Sequence, residues 1–372
     1  MGVQSEESLY QAYKLIESCS VREAVEILNS ALLEDLGNES LVFAIQACNF
    51  WQEVFVGLNS IDKNNFFEKG ESLLNSWKTF LKMYDYSDNI ASFGSKSLKA
   101  KSLSKKSTEK SADLASLVAE DRNLSDDSEN SIFAGNFANS ETVQDAKQEE
   151  RTLYAFKKGI FSLALDYFSK VQDESDSKLN AKLCRKKGLC YKKLGSYEIA
   201  LELLMKANSN LPGLSFIMAE MADCYALCGE TRYAKLLFKE AFFVDPQKID
   251  LSYLESPLIS ELEEKVMEKG FSDQMLLEWM AVWGVLYKTF NVKRKLRSQE
   301  VFQLQQDIFA KESELKERSN NRALIVPRLI NLYFWLIDYY LLSKENLTKV
   351  TEVLLKIKIL DPTVYSIYVG EN

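Results

Sequence analysis

The chain has 372 residues, of which 46% are hydrophobic and 27% charged, with a formal net charge of -8 and a pI near 5.1. That supply of apolar side chains is enough for two ordinary domains or one long repeat array, and the acidic balance argues against nucleic acid as the main partner, since duplex binding rests on Lys and Arg neutralising phosphates. Histidine is absent from the sequence, which removes the usual general base, the Ser-His and Cys-His nucleophile pairs and the commonest transition-metal ligand.

The opening MGVQSEES has neither the positive start nor the apolar run of a secretory leader. Glu6 also stands where a myristoylation signal needs Ser or Thr, so a cytoplasmic location is expected. Apolar residues then recur at three- and four-residue steps, which predicts helices over about Glu6–Ser18, Arg22–Glu34, Ser40–Val56 and Asn65–Met83. Together they make an N-terminal helical lobe, residues 1–88. Residues 89–141 are rich in Ser, Lys, Asp and Glu and read as a flexible linker, with lysines from Lys96 to Lys110 preceding acids from Asp113 to Glu129. Leu114–Val118 is its one short apolar patch.

Residues 142–250 carry a repeat. Gly188, Tyr191, Leu194, Gly195, Tyr197, Ala200, Leu204, Ala207 and Pro212 are followed by Ala222, Tyr225, Cys228, Gly229, Thr231, Ala234, Phe238, Ala241 and Pro246. The matches 191 to 225, 195 to 229, 200 to 234, 207 to 241 and 212 to 246 share one offset of 34 residues. Gly195 and Gly229 permit tight reversals, the alanines permit close helix approach, the aromatics fill the space between layers, and the prolines end each second helix. Gly159, Phe161, Ala164 and Phe168 suggest an earlier copy at an offset of 36, and Val21, Ala24, Leu28 and Ala31 repeat the second-helix spacing near the N-terminus.

This pattern resembles the tetratricopeptide repeat family, strongly over about a quarter of the chain. The resemblance implies an all-α fold in which helix-turn-helix units form an α-solenoid, here as two lobes joined by the linker. In that family a concave groove is lined by the first helix of each pair, which would point Lys182, Arg185, Leu189, Lys192 and Lys193 toward a partner as a basic stripe. The stripe reads either as a solvated lysine-rich helix face or as a receiver for an acidic or C-terminal carboxylate segment. The carboxylate clamp of chaperone-binding members needs Asn where this chain has Leu189, and the next repeat offers Phe216, Ala219 and Asp223, so chaperone-tail binding is not implied. The acidic stretch from Glu120 to Glu129 is a second candidate occupant of the groove.

Residues 251–372 form a C-terminal helical region, with helices expected over Pro257–Lys269, Asp273–Phe290 and Lys293–Arg318. Trp279, Trp283 and the aromatic run Tyr333, Phe334, Trp335, Tyr339 and Tyr340 read as core. Lys293, Arg294, Lys295 and Arg297 form a basic cluster suited to anionic lipid or an acidic partner face. Leu347, Leu354, Asp361 and Pro362 suggest a degenerate final pair. The most apolar run, Leu329–Leu342, is too short to span a bilayer and carries Asn331 and Asp338, so no transmembrane segment is expected and membrane contact is at most peripheral.

The six cysteines, Cys19, Cys48, Cys184, Cys190, Cys224 and Cys228, contain no CxxC and match no zinc spacing, so no metal and no cofactor is expected. With no phosphate-cradling glycine loop and no nucleophile elbow, a non-enzymatic scaffold or adaptor that holds other proteins is the expectation. The alternative is a chaperone or regulator of one client. In general character the chain is similar to tetratricopeptide proteins of spirochaete bacteria, some of which build the periplasmic flagellar collar. That likeness would make its partners structural proteins of the motor, at the inner membrane.

Overall fold

The structure is a computed structural model that describes residues 3–83, 140–171, 176–317, 321–343 and 347–370. Every regular element among these is helical, and there is no strand. The expected linker at 89–141 lies outside the described residues except for its last two, which already belong to a helix. The chain divides into two compact units, Met1–Asp173 with Lys193–Gly195, and Glu174–Lys192 with Ser196–Asn372.

The first unit contains α1 (Val3–Glu17), α2 (Val21–Glu34), α3 (Glu39–Leu58), α4 (Phe66–Met83) and α5 (Ser140–Lys170). Helix α3 begins at Asn38, whose side chain accepts from the Leu41 N–H at 3.1 Å, satisfying one of the orphan donors of the first turn. The core is aromatic. The ring of Trp51 lies within 5.5–6.2 Å of Trp77, Phe80 and Phe156, and Phe161 meets Trp77 edge to face at 5.6 Å.

Helix α5 corrects one expectation. The proposed early repeat placed a turn at Gly159, but the helix runs through that residue without a break. Gly159 is needed for proximity: a Cβ there would stand 2.6 Å from the Ile16 carbonyl oxygen at the end of α1. A mid-helix glycine and a turn glycine are indistinguishable in the sequence, and here the close approach decided which it was.

The second unit contains α6 (Ser177–Lys193), α7 (Tyr197–Asn210), α8 (Ser215–Leu227), α9 (Thr231–Val244), 3-10 turns at Pro246–Lys248 and Leu251–Tyr253, then α10 (Pro257–Met267), α11 (Asp273–Leu286), α12 (Ser298–Glu317), α13 (Arg322–Leu342), α14 (Leu347–Leu360) and α15 (Pro362–Gly370). Its main core gathers Phe238, Phe242, Trp279, Trp283, Phe290 and Trp335. Helix α13 is buried from Ile325 to Asp338 except at half-buried Arg328. At 21 residues it is longer than the apolar run that marks it, and both it and α3 are long and apolar enough to cross a membrane by length and composition, but most of α13 is covered by this protein. In α14 the buried register is Val350, Val353 and Ile357; of the two expected positions, Leu354 is half-buried against the core and Leu347 is 71% exposed. Asp361 and Pro362 start α15 instead of ending a pair, with the Asp361 carboxylate accepting from the Thr363 and Val364 N–H groups.

Three helix pairs share one local geometry. The Ser20, Ser196 and Glu230 N–H groups donate to the carbonyls of Leu15, Tyr191 and Tyr225 at 2.8, 2.9 and 2.8 Å, closing α1, α6 and α8 with the same six-residue return. The residue just before each donor has positive φ: Cys19 at 60°, Gly195 at 84° and Gly229 at 89°. Each second helix then buries an alanine, a larger residue and an alanine: Ala24, Leu28 and Ala31; Ala200, Leu204 and Ala207; Ala234, Phe238 and Ala241.

Only the first turn spends a side chain on the left-handed region, which costs a non-glycine residue about 1–2 kcal/mol. We predict that Cys19→Gly raises stability by about 0.5–1 kcal/mol, the strain relief exceeding the loss of a half-buried thiol. Gly195→Ala and Gly229→Ala, where an added Cβ meets nothing within 4 Å, should each lower it by about 1 kcal/mol through the backbone alone. Urea unfolding of the three variants checks both signs.

Candidate functional site

The surface expected to receive a partner lies on α6 and α8. Helix α6 is strongly basic, whereas α8, SFIMAEMADCYAL, carries only Glu220 and Asp223 as charges. These meet. The Arg185 guanidinium donates to both Glu220 carboxylate oxygens at 2.5–3.0 Å and lies 4.5 Å from the Phe216 ring centroid. The Lys192 ammonium donates to Asp223 at 2.8 Å, with both side chains fully inaccessible to solvent.

Asp223 does more than neutralise Lys192. Its carboxylate also accepts from the N–H groups of Glu255 at 2.9 Å and Ser256 at 2.8 Å, while Lys192 donates to the Tyr253 carbonyl at 2.5 Å. The segment after the second 3-10 turn is therefore bound across α6 and α8 through its main chain. Burial alone would pull the Lys192 ammonium down, but the attraction of Asp223 outweighs it and the net shift is upward. Arg185 behaves likewise, with Glu220 overcoming desolvation.

This corrects the expected basic stripe. Lys182 is exposed and Lys193 half-buried, but Arg185 is committed to Glu220, Leu189 is buried, and Lys192 is sealed beneath Tyr253–Ser256. The reason is that α8 places Glu220 and Asp223 within hydrogen-bond reach of Arg185 and Lys192. The other candidate occupant, Glu120 to Glu129, lies outside the described residues. Gly188 lies where a Cβ would come 3.1 Å from both the Ala200 oxygen and the Leu204 side chain. Ala200, Ala207, Ala222, Ala234, Phe238 and Ala241 are fully buried, and Tyr191 and Tyr225 are half-buried. Pro212 is exposed between α7 and α8, and buried Pro246 opens the 3-10 turn after α9.

A second ionic group ties α9, α12 and α13 together. Asp338 of α13 receives Lys239 at 2.5 Å and Lys293 at 3.3 Å, with the Lys239 ammonium 4.9 Å from the Trp335 ring centroid. Desolvation dominates here and lowers Lys239, with Lys293 adding to the effect. Arg294 binds Glu240 and Glu300. The expected basic cluster is thus half used internally, leaving Lys295 and Arg297 exposed.

Sequence reasoning did not mark two surface concavities. One, of about 670 Å³, is bordered by Tyr10, Tyr13 and Tyr154 with Lys14 and Arg151, on α1 and α5. Its signal, tyrosines spaced three apart in α1, is also that of an ordinary amphipathic helix. The other, of about 580 Å³, follows the 3-10 turns near Gln247 and Gln274. Among the described residues no three Cys, Asp or Glu side chains are grouped to hold a metal. The cysteines are free, and burial pushes Cys48, Cys190 and Cys224 up to about 12, so these thiols are protonated and inert at neutral pH.

Beside the second concavity, Glu278 is buried with one carboxylate oxygen bonded to Gln247 at 3.0 Å and the other without a hydrogen-bond partner. Desolvation raises its pKa, aided by Asp245 and opposed by Arg328, Gln247 and Lys311. A raised acid binds its proton more tightly in the folded protein, so stability is lost as pH rises from the ordinary glutamate value through the folded one. Glu278→Gln should remove this loss: the variant is expected to be about 1 kcal/mol more stable than wild type at pH 8, the gap closing as pH falls below the ordinary glutamate range. Urea unfolding at several pH values measures the gap.

No protein-family model and no curated protein sequence matches this chain.

Proposed function

We propose that the protein is a non-enzymatic scaffold or adaptor built on tetratricopeptide-type helix pairs, whose outer helical faces hold other proteins. The observation that supports this reading best is the shared turn geometry of the three pairs, with equivalent hydrogen bonds at Leu15, Tyr191 and Tyr225 and equivalent buried alanines in the helices that follow. Pairs of this kind cannot bury their apolar faces alone, and they stack so that neighbours complete one another. The chain's own Tyr253–Ser256 segment on α6 and α8 speaks for contacts through other faces and against a client peptide lying in that groove.

The setting suggested by the likeness to spirochaete tetratricopeptide proteins is a multi-protein assembly of the flagellar-collar type. In-cell cross-linking of the tagged protein, followed by purification and mass spectrometry of membrane and soluble fractions, tests both levels. Several structural proteins recovered together support a scaffold, and their recovery from the membrane fraction supports the motor setting. A single soluble client in every preparation would replace the scaffold by a dedicated chaperone or regulator.

A further inference from the structure

Helix α12 buries Val301, Leu304 and Ile308 against its own unit and turns its opposite half to solvent. Over residues 298–313 that half carries no charge. Between residues 298 and 313, eight residues are exposed, and they are four glutamines, two phenylalanines, a serine and an alanine. Phe302 and Phe309, two turns apart, are 62% and 72% exposed. The charged residues of the same stretch sit at its flanks and are already engaged, Glu300 with Arg294, Asp307 with Gln303, Lys311 with Glu314, and Glu312 with Lys356.

In a chain with 27% charged residues, an uncharged solvent-facing helix half is a departure that hydration does not explain. Its spacing supplies an explanation. Gln299, Phe302, Gln306, Phe309 and Ser313 follow one another at steps of 3, 4, 3 and 4 residues, the seam spacing of a helix that packs along another helix. Large residues alternate with smaller polar ones, so that a phenylalanine on one helix can lie over a glutamine layer on the other.

We infer that this face of α12 is a self-association surface, and that two copies of the chain pair through it with their α12 helices antiparallel. The charge distribution selects a second copy. Two chains of net charge -8 repel one another over most of their surfaces, and a neutral strip is where they can meet without that cost, whereas a charged partner gains nothing from it. The same distribution selects the direction. Exposed Lys295 and Arg297 precede the helix, and its last turn holds Glu314, Lys316 and Glu317, one net negative charge. A parallel pair sets like ends together, while an antiparallel pair brings Arg297 to the acidic end of the other copy. Phe302 and Phe309 lie four and three residues either side of Gln306, the middle of the strip, so a two-fold axis near there seats each Phe302 beside Phe309 of the second copy. None of this depends on the repeat pairs.

Sedimentation equilibrium of the full chain across the micromolar range is expected to show a dimer, and Phe302→Glu with Phe309→Glu to show only monomer with an unchanged helical circular dichroism spectrum. Because a charged variant can misfold, a second measurement uses nearly silent exposed or half-exposed positions. Gln299→Cys mixed with Ser313→Cys should give an oxidative cross-linked dimer above the background of the parent chain, and Gln299→Cys alone should not. A wild-type monomer at every concentration, a dimer that survives both glutamates, or cross-linking of Gln299→Cys to itself would each overturn the inference.

Discussion

Replacing Asp223 with alanine is expected to destabilise the second unit by about 3–5 kcal/mol, the range for removing one partner of a buried ion pair. The magnitude follows from what the carboxylate holds. At 2.8 Å from Lys192, with an effective dielectric constant of about 20, the attraction is about 6 kcal/mol, offset by the several kcal/mol needed to dehydrate each ion. Alanine removes the attraction and leaves the ammonium dehydrated, and it strips the Glu255 and Ser256 N–H groups of their acceptor. Lys192→Met combined with Asp223→Asn should recover much of the loss, because methionine needs no counter-ion and the asparagine oxygen still accepts from the main chain. Chemical denaturation of the two single variants and the pair gives the coupling energy. A coupling near zero would show that the lysine is not held by the carboxylate.

Gly159→Ala is expected to destabilise the first unit by about 2 kcal/mol, even though alanine is the better helix former by about 1 kcal/mol. The added Cβ would lie 2.6 Å from the Ile16 oxygen and 3.0 Å from the Glu17 oxygen. Both are backbone atoms in the last turn of α1, immediately before the left-handed residue Cys19, so they cannot rotate aside as a side chain would. Relief requires moving the end of α1, and overpacking of this kind costs about 1–3 kcal/mol beyond the propensity gain. Gly57→Ala supplies the contrast. Gly57 is exposed near the end of α3 with nothing within 4 Å of its added Cβ, so there the propensity term stands alone and alanine should stabilise. Urea unfolding that finds the same sign for both would remove the close approach as the cause.

The helices were legible because their burial is local and periodic. Val21, Ala24, Leu28 and Ala31 fall on one face of α2, and all four are buried; the Gly195 and Gly229 turns announce themselves by the residue type that positive φ favours. What was not legible depends on pairs distant in sequence. Lys192 lies on the same face as Leu189 and Arg185 and reads as a solvated groove residue until Asp223 and Tyr253 are placed against it. The available signal was the isolation of Glu220 and Asp223 in an otherwise apolar helix, since such charges stay buried only when matched. The turn at Cys19 was placed by the break in helical periodicity between Ser18 and Arg22, though cysteine gave no sign of its positive φ, and Gly159 offered a false turn. The neutral strip of α12 was obscured by Glu300, Asp307, Lys311 and Glu312, whose charges look continuous with it in the sequence but point to its flanks.

The segment tied down by Asp223 and Lys192 also has a mechanical consequence. Stacked helix pairs yield to load by small changes of tilt between neighbours, because the contacts that join them are apolar and slide at little cost. Between α6 and α8 that compliance is removed. Any splaying of the two helices must stretch the Lys192–Asp223 and Arg185–Glu220 pairs together and pull the backbone of Tyr253, Glu255 and Ser256 off its anchors. The segment acts as a tie-rod across the joint, so that force applied to one of these helices reaches the other almost undiminished.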